Sequence, residues 1–183
     1  GRMTLIGPLL DSIPLIAIQE DFTEQGHEEL MNAVTHPTRP WFDESLPSRF
    51  YGSGLTILSR AEQVEYTEQH YSSCNGVLDS ANDCLASKGF QRSRLRLGPD
   101  AYLDVYNTHL DAGNDTADDE ARAVQVEELL RAIADESTDQ AILVMGDFNL
   151  SGFDAEDAVL VEELMSGADL QDLCDAVDCE EPG

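Results

Sequence analysis

A chain of 183 residues is long enough for one domain with a sizeable hydrophobic core, and no stretch approaches the length of a membrane-spanning helix. Ten Lys and Arg residues oppose 37 Asp and Glu residues, which leaves a net charge of −27. Such a surface repels polyanions, so we expect non-specific binding of nucleic acid through its phosphates to be weak. The composition predicts a single acidic domain over residues 1–183.

The first part of the chain predicts a strand, a helix, a long loop and a second strand. The apolar run at 13–21, IPLIAIQED, predicts a buried strand. Apolar residues at helical spacing predict a helix at 23–34. The segment 35–54 is rich in Pro, Ser, Gly and aromatic residues, as in a loop, and loops of this length are often functional. The strand GLTILSR occupies 54–60, and the polar segment 62–87 is predicted as an excursion from the sheet.

The remaining elements are a hairpin, two helices and a further strand. RSRLRL and AYLDVYNTH flank a Gly-Pro-Asp turn and predict a β-hairpin. Thr116 and Asp119 predict a capping box for a helix that continues to Ile133. The strand AILVM follows at 141–145, and a last helix covers about 154–166. Strands that pair in some places and alternate with helices in others indicate a mixed α/β fold.

The four cysteines do not have the spacing of a zinc site, which requires close Cys or His pairs on both sides. Local pairing as Cys74–Cys84 and Cys174–Cys179 closes two short loops and suits an oxidising compartment. The alternative is buried free thiols in each pair. We favour the two disulfides.

The basic residues Lys88, Arg92, Arg94 and Arg96 are concentrated in one short segment. They allow two interpretations. They form a local basic patch on an otherwise acidic surface, or they belong to a solvated strand of alternating Arg and Leu.

Polar side chains follow three of the apolar runs: Glu20 after LIAIQ, His109 after VYNT, and Asp147 with Asn149 in VMGDFN. Side chains at the ends of buried strands can converge on one cleft. Two carboxylates and a carboxamide are hard oxygen ligands, which suit Mg²⁺, Mn²⁺ or Ca²⁺. A histidine beside such an ion can donate a hydrogen bond or a proton to a phosphoryl oxygen.

Each of these residues has an ordinary explanation when it is taken alone. Glu20 can be a solvated loop residue, and His109 can bond a backbone carbonyl at the edge of the core. Asp147 and Asn149 are common turn formers. Their joint occurrence in this order is what points to a site.

The motifs that carry these residues resemble those of the endonuclease/exonuclease/phosphatase superfamily. IQE, GLTILSR, YNTHLDA with ARAVQ downstream, and VMGDFN occur in the order and rough spacing of that superfamily. GDFN together with NTHL is its most specific signature, and the resemblance covers residues from about 13 to 150. It implies a four-layer α/β sandwich, with two mixed β-sheets face to face and helices outside.

The resemblance also implies roles for single residues. Glu20 matches the metal ligand of the superfamily, and His109 matches the histidine that contacts the scissile phosphate. Asp147 and Asn149 match the residues that orient the nucleophilic water and the phosphate. The implied reaction is hydrolysis of a phosphoester by in-line attack of a metal-activated water, with Mg²⁺ as the expected ion and Mn²⁺ or Ca²⁺ as alternatives.

The chain departs from the superfamily pattern at both ends. The superfamily has an early strand whose asparagine helps to hold the metal, and no asparagine precedes residue 13 here. The superfamily also closes with an SDH motif that contains its general-base pair, and none follows residue 150. We therefore expect a fragment that is incomplete at both ends and impaired in catalysis on its own.

Within the superfamily, DCLASKGFQRSRLRL followed by LDVYNTHLDAG looks most similar to the secreted sphingomyelinase-like branch. This implies a phospholipid phosphodiesterase, a secreted or extracellular location and a monomer that contacts membranes peripherally. Trp41 and Phe42 are the aromatic pair that would touch a lipid surface, although a core contact is favoured. The alternatives are an extracellular nuclease and a catalytically inactive binding module with the same fold.

Overall fold

The computed structural model describes residues 2–47, 49–76, 83–151 and 154–177, which contain both strands and helices. The elements in chain order are α1 (Met3–Leu10), β1 (Leu15–Ile18), α2 (Glu24–Met31), β2 (Trp41–Phe42), β3 (Leu55–Ser59), β4 (Glu62–His70), a short 3-10 helix (Asp83–Leu85), β5 (Gly89–Gly98), β6 (Ala101–His109), α3 (Thr116–Glu136), β7 (Ala141–Asp147), α4 (Ala155–Gly167) and α5 (Leu173–Val177).

The strands form two sheets. The first sheet has the order β1-β3-β2 and is antiparallel, with Ile16 opposite Leu58. The second has the order β4-β5-β6-β7 and is mixed, because β6 and β7 run parallel while the other neighbours are antiparallel. The parallel pair is joined by α3, which is the usual crossover between parallel strands.

Three hydrophobic clusters fill the spaces between four layers. One lies between α1, α2 and the first sheet, one lies between the two sheets, and one lies between the second sheet and the helices α3 and α4. The buried members include Leu30, Val34 and Leu58 in the first cluster, Ile57, Leu95 and Val105 in the second, and Tyr106, Leu129 and Leu164 in the third. This layering confirms the predicted four-layer α/β sandwich, although among the described strands only the second sheet is mixed, whereas two mixed sheets were expected.

The strand β3 explains how the two sheets share a core. All five of its residues are buried, so it presents apolar side chains to both faces of the first sheet. Ile57 faces the second sheet, and its neighbour Leu58 faces α1 and α2. Adjacent residues of a strand point to opposite faces, so a strand that is buried on both faces needs apolar residues at neighbouring positions such as these.

The N-cap of helix α3 lies one residue earlier than predicted. Asp115 is the N-cap, and the capping box joins Asp115 and Asp118 rather than Thr116 and Asp119. Asp and Ser or Thr are comparable caps, so the run of acidic residues here allows two adjacent starting points. The helix has an apolar stripe on its inner face, where Val126 and Leu129 are fully buried.

The predicted excursion at 62–87 is wrong over its first part, where β4 forms the edge of the second sheet. β4 is polar, and each of its residues is exposed or only partly buried. Edge strands with one solvated face need little apolar content, so the strand has no clear alternating pattern. The structure also contains α1, β2 and α5, none of which was predicted.

The predicted disulfide between Cys74 and Cys84 is confirmed, with a Cα–Cα distance of 5.5 Å. The predicted Cys174–Cys179 pair involves a residue outside the described part of the chain. Among the described residues, no helix is both long and apolar enough to cross a membrane.

The arginines of β5 do not form a basic patch. Arg94 Nε lies 2.7 Å from Asp104 Oδ1, and Arg92 Nε lies 3.4 Å from Asp104 Oδ2. Both guanidinium groups also pair with Glu65 on β4. Although burial raises the pKa of Asp104, hydrogen bonds from Arg94 and Ser137 hold it below its ordinary value. Arg92 is only 3% exposed, so the solvated-strand interpretation fails for it as well.

An apolar groove of about 570 Å³ runs beside β7. Ile142 and Val144 of β7 line one side, and Leu164 and Met165 of α4 line another. Within the described residues β7 pairs only with β6, so it lies at the edge of its sheet.

Candidate active site

All four residues that the motifs single out line one cavity of about 290 Å³. Glu20 follows β1, His109 ends β6, and Asp147 and Asn149 lie at the end of β7. The strand ends of both sheets meet here because the sheets pack face to face. The structure therefore brings the predicted site residues together, and their chemical roles remain predictions.

Glu20 leaves β1 in an unusual backbone conformation. Its φ of 62° lies in the left-handed region, which costs a residue with a side chain about 1–2 kcal/mol. The neighbouring backbone holds this turn, since Asp21 N donates to Gly54 O over 2.9 Å. The carboxylate of Glu20 is exposed and forms no hydrogen bond or ion pair within the described residues. A strained turn that holds a free carboxylate at a cavity is typical of a functional position.

His109 lies opposite Asp147 in the parallel register of β6 and β7. The distance from His109 Nε2 to Asp147 Oδ2 is 3.8 Å. Burial lowers the pKa of His109 to about 4, with a further lowering from Lys88 and an opposite effect from Asp147. The imidazole is therefore neutral at pH 7. Its Nδ1 is buried and has no hydrogen-bond partner among the described residues.

The turn after β7 fixes Asp147 and Asn149 relative to each other. Asn149 N donates to Asp147 Oδ1 over 3.1 Å, and Asn149 Nδ2 donates to Leu110 O over 2.9 Å. One amide hydrogen of Asn149 is thus engaged, which leaves its carbonyl oxygen and its second amide hydrogen available to a ligand. Asn149 has a φ of 49°, a conformation that asparagine adopts more readily than most residues. Gly146 permits the approach of β7 to β6, because a Cβ there would overlap the carbonyl of Thr108.

Lys88 is a cavity residue that the motif argument does not assign to the site. Its ammonium lies 2.6 Å from Asp83 Oδ1 and donates to Leu110 O over 2.6 Å. The other carboxylate oxygen of Asp83 accepts a hydrogen bond from Ala112 N at 2.7 Å. The side chain of Lys88 is 4% exposed, so its charge acts in a poorly solvated environment. The available signal for Lys88 in the sequence is that it is the sole lysine of the chain.

The Leu110 carbonyl connects two of these groups. It accepts hydrogen bonds from both Lys88 Nζ and Asn149 Nδ2. Leu110 N in turn donates to Asp147 O over 2.9 Å. The backbone after β6 therefore sets the position of the Lys88 ammonium relative to the Asn149 carboxamide.

Two aromatic rings form a wall of the cavity. The ring centroids of Phe22 and Tyr51 are 5.7 Å apart, with an angle of 41° between the ring planes. Both residues line the same cavity as Glu20 and Asp147. Aromatic faces beside carboxylates suit a quaternary ammonium group, which is attracted by both.

Comparison with known proteins supports this reading of the fold and the motifs. No family model matches the chain. It is 30% identical over 160 residues to proteins named sphingomyelinase from Mycobacterium tuberculosis and Mycobacterium bovis, a stretch that is 85% of this chain. Sphingomyelinase C from Streptomyces griseocarneus has the same fold, with a TM-score of 0.75 over 93% of the chain at 20% identity. The chain belongs to the endonuclease/exonuclease/phosphatase superfamily.

Within the superfamily, the chain falls in the sphingomyelinase-like branch. A beta toxin variant from Staphylococcus aureus, solved with bound magnesium ions, has a TM-score of 0.77 at 18% identity over 93% of the chain. TDP2 from D. rerio, complexed with a single-stranded DNA product, has a TM-score of 0.62 at 15% identity over 87% of the chain. These structural matches establish the shared fold.

The chain spans about 30% of the length of its curated mycobacterial relatives. It covers 62% of the Streptomyces structure, 63% of the beta toxin variant and 56% of TDP2.

The donor atoms of the superfamily motifs fit a hard divalent cation. Glu20, Asp147 and Asn149 supply oxygens on one cavity, and oxygen ligands are those that Mg²⁺ prefers. No group of three His, Cys, Asp or Glu residues in the described part of the chain is arranged to enclose a metal. A magnesium ion bound here would therefore keep several water ligands, as it usually does in proteins.

Proposed function

We propose that the protein is a metal-dependent phosphodiester hydrolase that acts on phospholipids, as a sphingomyelinase does. The observation that carries this proposal is the single cavity that contains a free carboxylate, a histidine–aspartate pair and a buried lysine. Phosphodiester hydrolysis needs a positioned water and groups that offset negative charge on the phosphoryl oxygens. The cavity contains candidates for each task.

The carboxylate of Glu20, with oxygens of Asp147 and Asn149 nearby, would hold Mg²⁺, with Mn²⁺ or Ca²⁺ as alternatives. The ion supplies Lewis acidity to the phosphoryl oxygens and to the attacking water. Asp147 would accept a hydrogen bond from the water and orient it for in-line attack. The exposed half of its side chain makes that contact geometrically accessible.

His109 would donate a hydrogen bond from Nε2 to a phosphoryl oxygen. The low pKa keeps its ring neutral at pH 7, so the donor is an imidazole with its proton on Nε2. Lys88, held by Asp83, places an oriented ammonium at the cavity, where poor solvation makes its interactions stronger than they would be in water. Asn149, held at the Leu110 carbonyl, would contact the phosphate from the same side.

The aromatic wall and the overall charge favour a choline-type head group. Phe22 and Tyr51 offer ring faces to a trimethylammonium group, and Glu20 offers a nearby negative charge. The net charge of −27 opposes the approach of a polyanion. A nuclease is the second candidate, because TDP2 shares the fold and is complexed with a DNA product.

We further propose that the protein is a secreted or extracellular monomer, with residues 1–183 as one domain. The disulfide between Cys74 and Cys84 supports an oxidising compartment. Such a disulfide would be reduced in most cytosols.

The metal site is tested by titrating the chain with Mg²⁺ in a calorimeter. We expect binding to the wild-type chain and a large loss of affinity in Glu20→Gln. Glu24→Gln is the matched control, since Glu24 is an exposed carboxylate nearby at the start of α2. Equal affinity in Glu20→Gln and wild type would contradict the assignment of Glu20.

The substrate is tested by hydrolysis assays on the protein at its natural length. Sphingomyelin, DNA and a small synthetic phosphodiester are compared with Mg²⁺ and with a chelator. Mg²⁺-dependent cleavage of sphingomyelin that His109→Gln and Asp147→Asn abolish supports the proposal. Preferential cleavage of DNA would identify a nuclease, and no cleavage of any substrate would identify a binding module.

A further inference from the structure

Among the described residues, the strongly exposed aromatic side chains are those of Phe50 and Tyr51 rather than those of Trp41 and Phe42. Trp41 stacks on His27, with ring centroids 3.9 Å apart, and Phe42 is 2% exposed. The core contact favoured for this pair is therefore observed. By contrast, Phe50 is 77% exposed and Tyr51 is 48% exposed. These two residues are called the Phe50–Tyr51 surface below.

The backbone of the Phe50–Tyr51 surface is fixed by hydrogen bonds. Phe50 N and Tyr51 N both donate to Leu85 O, over 2.9 Å and 3.0 Å. Ser87 N donates to Tyr51 O over 3.0 Å. Backbone hydrogen bonds therefore fix the segment that exposes the two rings.

The disulfide region supports the same segment. Arg49 Nη2 donates to Cys74 Sγ over 2.9 Å, and Arg49 Nη1 donates to Cys84 O. The residue directly before Phe50 is therefore tied to both cysteines of the Cys74–Cys84 disulfide. A single exposed apolar side chain is common on proteins, but two adjacent aromatic rings held beside a cavity offer an apolar face to another surface.

The surface is continuous with the cavity. Tyr51 and Leu85 both line it, and Tyr51 contacts Phe22 on the aromatic wall. The segment that pairs with Tyr51 leads through Ser87 directly into Lys88. Because Phe50 directly precedes Tyr51, a molecule that contacts the Phe50–Tyr51 surface also meets the edge of the cavity.

The charge of the chain selects the kind of surface that can approach. The net charge is −27, and the carboxylates of Glu20 and Asp147 lie at the cavity. An anionic bilayer is repelled by such a protein. In phosphatidylcholine and sphingomyelin the outermost charge of the head group is a positive trimethylammonium, which these carboxylates attract.

We propose that the Phe50–Tyr51 surface docks the protein on zwitterionic phospholipid bilayers, with the Phe50 ring placed at the head-group level. Aromatic rings favour this interfacial depth because they are apolar yet tolerate contact with water. The inference rests on the proposed function, in which the adjacent cavity takes a phospholipid head group. It adds which surface of the protein meets the bilayer and which head-group charge is preferred.

Vesicle sedimentation tests the proposal without any turnover. The 183-residue chain is mixed with vesicles of phosphatidylcholine and sphingomyelin in a chelating buffer, and the bound fraction is measured. We expect binding, and a loss on the order of tenfold in Phe50→Ser, from the transfer free energy of one phenylalanine ring. Binding is expected to weaken when phosphatidylserine replaces part of the phosphatidylcholine.

Leu97→Ser is the matched control. Leu97 is 60% exposed and lies at the opposite end of β5 from Lys88, roughly 30 Å away at the usual rise of a strand. We expect this variant to bind as wild type does. Equal loss in both variants, no binding by wild type, or preference for phosphatidylserine would each overturn the proposal.

A fluorescent reporter gives the position of the contact. In Phe50→Trp, brominated phosphatidylcholine should quench the new tryptophan more than the native Trp41, which is measured in the wild-type chain. Leu97→Trp should remain unquenched. Vesicle binding without hydrolysis in the substrate assay would refute the proposed enzymatic function alone. Hydrolysis that is unaffected by loss of the Phe50 contact would refute the docking surface alone.

Discussion

Gln19 Nε2 donates a hydrogen bond to Asn107 Oδ1 over 2.7 Å, and this contact joins the two sheets directly beside Glu20. The side-chain nitrogen of Asn107 donates in turn to Ile18 O and Thr56 O, at 3.0 Å and 3.2 Å. Asn107 is fully buried on β6, while its partners belong to the first sheet or directly follow it. One carboxamide therefore sets the position of Glu20 relative to His109.

Asn107→Ala should lower the free energy of unfolding by about 3 kcal/mol, because buried carbonyls lose their donor and a cavity remains. It should also weaken Mg²⁺ binding at Glu20. Denaturant unfolding and calorimetry measure the two effects. Asn114→Ala, in an exposed position, is the control and should change stability by less than about 0.5 kcal/mol. A change in Asn107→Ala no larger than that of the control would show that the contact between the sheets is unimportant.

The neutral buried state of His109 predicts a loss of stability in mild acid. Its pKa falls from 6.5 to about 4 on folding, so the unfolded chain binds a proton more readily. The stability from this group is fully present above pH 6.5 and is lost as the pH falls towards 4. Between pH 7 and pH 5 the free energy of unfolding should fall by about 2 kcal/mol through this group.

Urea unfolding of wild type and His109→Gln at several pH values isolates this contribution. Glutamine does not titrate, so the difference between the two proteins should decrease by the stated amount as the pH is lowered. Carboxylates titrate in both proteins and cancel in the comparison. A difference that stays constant with pH would show that His109 is not held neutral.

Lys88 and Asp83 should be strongly coupled energetically. Removing either partner leaves a buried charge without compensation. Each single variant should therefore lower the free energy of unfolding by about 3–5 kcal/mol. Lys88→Gln with Asp83→Asn should therefore be much less destabilising than the sum of the two single variants. A double-mutant cycle of unfolding free energies measures this coupling.

The exposed pair of Arg131 and Glu127 provides the matched comparison. Its atoms are also 2.6 Å apart, but the side chains are 62% and 66% exposed. The same cycle there should give roughly 0.5 kcal/mol or less. Similar coupling energies in the two pairs would mean that burial does not strengthen the Lys88 contact.

The disulfide between Cys74 and Cys84 should stabilise the fold by about 2–3 kcal/mol, which is the expected effect of closing a short loop in the unfolded chain. The double variant Cys74→Ser with Cys84→Ser should unfold at a correspondingly lower denaturant concentration. Single replacement of the exposed Leu97 by Ser serves as a reference for surface changes. Unchanged stability in the double serine variant would refute this estimate.

The parts of the fold that could be predicted from sequence are those with apolar runs or strong motifs. The strands around Ile16 and Ile57 and the apolar stripe of α3 were identifiable because burial demands a regular pattern of apolar residues. β4 could not be predicted, since its side chains are held by Arg92, Arg94 and Arg96 on β5, and such cross-strand partners are far apart in sequence.

The site was predictable as far as the motifs reach. Glu20, His109, Asp147 and Asn149 were all assigned to one cleft, and they line one cavity. Lys88 was grouped with the arginines, because neighbouring basic residues look alike in a sequence. Only the three-dimensional partners separate them: Arg94 contacts Asp104 far from the cavity, whereas Lys88 contacts Asp83 inside it.

The edge position of β7 has a consequence for behaviour in solution. The outer backbone groups of an edge strand are able to pair with another strand, and the apolar groove beside β7 adds to that tendency. Mutual repulsion between molecules of charge −27 opposes it. Dissolved salt shortens the range of that repulsion, to about 3 Å at 1 M ionic strength. The acidity of the chain thus also keeps its copies apart, most effectively in dilute buffer.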